Sequence, residues 1–100
     1  MPSFSTEVPH GLGQEETTFR LKTFLERVRE RYKDQVSNLK GEWINNQLAF
    51  SFTTYGFAIQ GTLLVESDLV KLNGSLPLAA AVFRGKIEES IRSEIEKVVT

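Results

Sequence analysis

Counted across three two-residue turns, the glycines at 41, 61 and 74 fall on one line, and that line limits how this chain can fold. Between Leu39 and Leu76, four alternating apolar segments are separated by Asn45-Asn46, Tyr55-Gly56 and Ser67-Asp68. Asparagine and glycine tolerate positive φ and Ser-Asp suits a tight bend, so the segments read as four antiparallel strands. Pairing outward from the turns gives one inner row of Leu39, Phe52, Ile59 and Leu76. A second inner row holds Trp43, Leu48, Leu63 and Leu72, and between the two runs Gly41, Phe50, Gly61 and Gly74. The opposite face carries Glu42, Ala49, Thr62 and Asn73, then Lys40, Ser51, Gln60 and Ser75. A slip of one residue would bury this polar face, so the register is strongly specified. Two bulky rows flanking three missing side chains leave a trough that a close-packed interior must fill. Two fillings stay open: a helix crossing closely over Phe50, or an apolar ligand against Gly41, Trp43, Phe50, Phe52, Gly61, Leu63 and Gly74.

The flanking segments supply the helices. Phe4, Thr6 and Val8 alternate with Ser3, Ser5 and Glu7, which predicts a short strand ending at Pro9. After His10-Gly11-Leu12-Gly13, a helix is predicted from about Gln14 to Lys33, with Leu21, Phe24, Leu25, Val28 and Tyr32 on one face. Beyond Pro77 the chain passes through Leu78–Val82 into a final helix. Its stripe is Ile87, Ile91, Ile95 and Val98, with Glu88, Glu89, Arg92, Glu94, Glu96 and Lys97 off it. Gly85 falls in its first turn or just before it. The order β-α-β-β-β-β-α describes one α+β domain over residues 1–100: a five-stranded, mainly antiparallel sheet with two helices packed on one face. The first strand is placed against the fifth, antiparallel, rather than against the second.

Composition excludes several functions. A formal charge of −1 gives no general attraction to nucleic acid or anionic surfaces. With no cysteine, neither a disulfide framework nor a thiolate metal site is available. The N-terminal residues lack a basic region followed by an apolar run, and the longest apolar run, Leu78–Phe83, is far below a membrane span. A soluble, cytoplasmic domain without an integral membrane segment is expected.

No residue set converges on chemistry. His10 is the single histidine, and with no second histidine or cysteine it reads as a loop residue bonding local backbone. Gly11-Leu12-Gly13 lacks the remaining signature of a phosphate loop, so Gly13 reads as a helix N-cap with Leu12 as a staple. Arg27, Arg29, Arg31 and Lys33 interleave with Glu26 and Glu30 at spacings for intrahelical pairs, which argues for a solvated face rather than a nucleic-acid surface. Glu15/Glu16 and Glu88/Glu89 are adjacent pairs about 100° apart on a helix and do not converge on one bond. Phe19, Ile44, Leu64 and Tyr55 are expected to face outward, and a homodimer through the open sheet face is one expectation. No catalytic residue, metal or cofactor is expected.

Four segments carry a resemblance: VPHGLGQEE at Val8–Glu16, FSFTTYGFAIQGTLLV at Phe50–Val65, LNGSLPLAA at Leu72–Ala80 and FRGKIEESI at Phe83–Ile91. Together they resemble the polyhydroxyalkanoic acid system proteins, a family of small bacterial proteins. The resemblance implies a cytoplasmic protein, in some cases encoded near genes for polyester storage granules, and brings no functional residues with it. The function it implies is that of a non-enzymatic accessory protein whose partner is an unknown protein or the granule surface. The alternative is a binder of a small apolar ligand, such as a fatty acyl chain, between sheet and helices.

Overall fold

A computed structural model describes residues 3–99. The sheet contains β1 (Ser3–Pro9), β2 (Val36–Ile44), β3 (Gln47–Thr54), β4 (Phe57–Val65) and β5 (Leu69–Ser75), in the spatial order β1-β5-β4-β3-β2. All neighbours are antiparallel, and β1 lies against β5 as expected. The register follows the turn chemistry. Trp43, Leu48, Leu63 and Leu72 pair across four strands, as do Gly41, Phe50, Gly61 and Gly74. At the far end of β2 the pairing shifts between Ser37 and Lys40, where Asn38 takes a positive φ of 53°. That bulge bends the open edge of the sheet.

The first helical stretch comes in two pieces, α1 (Gln14–Leu21) and α2 (Phe24–Arg31). Two bonds explain the break. The Lys22 N–H turns to the Phe19 carbonyl, and the Thr23 hydroxyl donates to the Arg20 carbonyl at 3.4 Å. A β-branched hydroxyl residue that takes a backbone carbonyl for itself competes with the helical ladder. After Pro77 a 3₁₀ segment (Leu78–Phe83) leads directly into α3 (Arg84–Val99).

Both helical stretches lie on the apolar face of the sheet. Leu21 and Phe24 from the first, and Ile87, Ile91, Ile95 and Val99 from α3, are buried against Leu48, Phe52, Ile59, Leu63 and Leu72. Glu94 corrects the expected stripe. Its side chain is 0% exposed, on the buried arc between Ile91 and Ile95 rather than off it. No helix among the described residues is long and apolar enough to cross a membrane.

Candidate functional site

The glycine row is filled from within the sheet and from α2. Phe4 of β1 pairs with Gly74 and completes the row, and its ring lies over Gly74 where a side chain would stand. Phe50 lays its ring over Gly61: a methyl group built there would meet Phe50 Cζ at 2.6 Å and the Asn73 carbonyl oxygen at 2.9 Å. Leu25 of α2 sets a terminal methyl over Gly41. Of the remaining trough residues, Phe52 stacks at 6.1 Å from Phe50, and Leu63 is enclosed in the core. Trp43 is half-buried beneath the Lys22 ammonium, 5.0 Å from its ring. The seven residues are thus in contact with protein.

Beside the row, between α2, α3 and the sheet, lies a cavity of about 150 Å³ lined chiefly by Phe24, Val28, Val36, Phe52, Ile87 and Ile91. An apolar void of this size accommodates a guest the size of benzene. Glu94 closes one side. Arg31 Nε approaches its Oε1 to 2.7 Å and Lys97 Nζ to 3.7 Å, both from half-exposed side chains. The Arg31 contact is an ion pair by distance, since no N–H points along it and both carboxylate oxygens lack a hydrogen bond. Tyr32 shares this environment. Burial raises its hydroxyl pKa above 10.0 and the Glu94 charge raises it further, while Arg31 opposes both. Arg31 therefore serves α3 instead of its own helix. Among the described residues Glu26 and Glu30 form no ion pair, so the expected intrahelical pairs give way to this contact and to Arg29 donating to the Leu39 carbonyl.

His10 is engaged in structure. Its Nδ1 accepts from the Leu12 N–H at 3.3 Å and from the Thr17 hydroxyl at 3.1 Å, so the proton sits on Nε2 and is donated to the Glu66 carbonyl at 3.1 Å. The ring staples the β1–α1 connection to the β4–β5 turn. Gly13, at φ 83°, is the N-cap of α1, and Leu12 packs against the core. No three His, Asp or Glu side chains gather in a metal-binding group among the described residues.

One surface feature escaped the sequence. Leu78 and Val82 are 78% and 83% exposed, and Ala79 and Ala81 between them are exposed too. At the base of this segment Phe83 stacks on Tyr55 from the β3–β4 turn, with centroids 4.3 Å apart and planes 10° from parallel. Phe57 flanks them at 6.3 Å. Arg84 and Lys86 follow, exposed and without an ion pair among the described residues. Leu78, Ala79, Ala81 and Val82 of the longest apolar run thus stand exposed in the segment preceding these two cations, while Ala80 is buried and Phe83 packs on the core.

Comparison with known proteins places the chain. The family model described as "Putative polyhydroxyalkanoic acid system protein" matches residues 5–99. The chain belongs to this family. None of the curated proteins matches it in sequence. Among solved structures, TTHA0849 from Thermus thermophilus superposes with a TM-score of 0.57 at 15% identity, over 97% of this chain and 91% of that one. That likeness shows a shared fold. Ara h 8.0201 superposes with a TM-score of 0.45 at 8% identity, over 98% of this chain and 97% of the other. The family is one of unknown molecular role, and no catalytic function is indicated for it.

Proposed function

We propose that this protein is a non-enzymatic, cytoplasmic accessory protein of polyhydroxyalkanoate storage, acting by contact at the granule surface through Leu78–Phe83. The observation that carries this reading is the exposure of Leu78 and Val82, the two largest aliphatic side chains of the segment. Removing such groups from water is favourable by about 1.5–3 kcal/mol each, so the folded chain retains a drive toward an apolar partner. The family supplies the link to storage granules. The single histidine is held by structural bonds to the Leu12 N–H, the buried Thr17 hydroxyl and the Glu66 carbonyl, and no carboxylate bonds to it among the described residues.

On this reading the trough residues Gly41, Trp43, Phe50, Phe52, Gly61, Leu63 and Gly74 are packing residues. The alternative of a fatty acyl chain is the less favoured reading, because the Phe4 and Phe50 rings and a Leu25 methyl lie over the row and the neighbouring cavity holds only about 150 Å³. A homodimer through the outer sheet face would rest on one largely exposed residue, Ile44 at 65%, so we place the contact at the 3₁₀ segment instead. Co-sedimentation of purified protein with isolated granules at physiological salt tests the proposal. Wild type is expected in the granule pellet and Leu78→Asp/Val82→Asp in the supernatant. Equal soluble fractions for both would overturn it.

A further inference from the structure

We infer that the surface contacted by the Leu78–Phe83 segment is an anionic phospholipid layer, with Leu78 and Val82 inserted and Arg84 and Lys86 at the headgroups. This deepens, and rests on, the proposed contact function. Along the chain come exposed aliphatic residues, then the Tyr55–Phe83 ring pair, then two cations without ion-pair partners among the described residues. A lipid interface takes aliphatic, aromatic and cationic groups at successively shallower depths, and this short stretch supplies all three classes. Arg84 and Lys86, two residues apart in α3, point about 200° apart, so their long side chains would reach the headgroups from opposite flanks. Leu78 and Val82 stand almost fully in solvent, a shape suited to a yielding medium.

A protein partner fits less well. A stable protein interface takes roughly 800 Å² and 20–30 residues per side, far more than this segment and its ring pair offer. A neutral polymer or neutral lipid would leave Arg84 and Lys86 without a role, whereas each cation near an anionic leaflet strengthens binding about fivefold. The local charge is not uniformly positive, because Glu88 and Glu89 follow within α3. Binding therefore requires the two cations to lie nearer the layer than the two carboxylates.

Flotation of the full chain with vesicles of phosphatidylcholine, with and without phosphatidylglycerol, tests this. The chain is expected to float only with vesicles containing phosphatidylglycerol and to be released by salt. Arg84→Gln/Lys86→Gln should weaken binding about thirtyfold, Leu78→Ser/Val82→Ser should abolish it, and Glu88→Gln/Glu89→Gln should tighten it. Thermal melting checks that each variant folds. Because the chain has no cysteine, a dye at Val82→Cys gives a second readout. Its emission should shift to the blue with anionic vesicles, while the same dye at Glu42→Cys on the outer sheet face should not respond. No flotation, flotation indifferent to Leu78 and Val82, or association with a second copy in place of lipid would each overturn the inference. Binding to lipid-free polyester particles but not to vesicles would overturn it and leave the proposed contact function standing. Binding to neither would remove both.

Discussion

A glycine's value depends on what lies where its side chain would be. At Gly74 the three nearest obstructing atoms all belong to the Phe4 ring, whereas at Gly61 they include the Asn73 carbonyl oxygen of the neighbouring strand beside the Phe50 ring. Gly61→Ala should therefore cost about 1–3 kcal/mol, read as a lower denaturation midpoint, and Phe50→Leu should relieve only part of it. Gly74→Ala should cost a similar amount alone but be largely relieved by Phe4→Leu, since that obstruction can retract. His10 is the other residue whose bonding partners are defined. His10→Ala strands the Glu66 carbonyl and the Leu12 N–H, so it should lower stability by about 1–3 kcal/mol and leave granule association unchanged. Thermal melts and co-sedimentation read the two effects separately. The row itself was legible because turns of fixed length count out partners without ambiguity. Phe4 was not, because no tight turn ties β1 to β5 and its register floats until tertiary packing sets it.

Helices were legible as apolar stripes, but their interruptions and buried charges were not. Thr23 broke the first stretch through a side-chain bond to a carbonyl, a competition that periodicity does not record. Glu94 lies three residues beyond Ile91 and four before Val98, inside the arc of the stripe, and that spacing was the signal for its burial. A carboxylate enters such an arc only with cationic company, and Arg31 of α2 supplies it, tying the two helical stretches together. Tyr32 registers this junction as a pH dependence. Its pKa is raised in the folded state, so the folded chain holds the phenolic proton more tightly than the unfolded chain does. That contribution is complete below pH 10.0 and is lost as pH climbs through the raised value. Urea melts through this range should show falling stability, and Tyr32→Phe should lose part of the decline. An identical pH profile for the variant would contradict the coupling.

At the scale of the molecule, the described residues cover the glycine row and leave part of one apolar segment exposed. Phe4, Phe50 and Leu25 lie over the glycine row, while Leu78 and Val82 of the most apolar run of the chain face water. Leu78–Phe83 has the composition of a core helix, and composition cannot say which side of the sheet the chain takes after an extended Pro77. That choice is made by packing, with Ala80 and Leu76 directed into the core and Leu78 and Val82 left outside. The fold was readable because turns and alternation act locally. The exposure of Leu78 and Val82 was not, because exposure is a property of the assembled molecule. Amide hydrogen exchange of the chain on isolated granules, against the free chain, tests the account most directly. Protection confined to residues 78–86 and the Tyr55–Phe57 turn is the predicted result, and protection centred on the outer sheet face, or none anywhere, would contradict it.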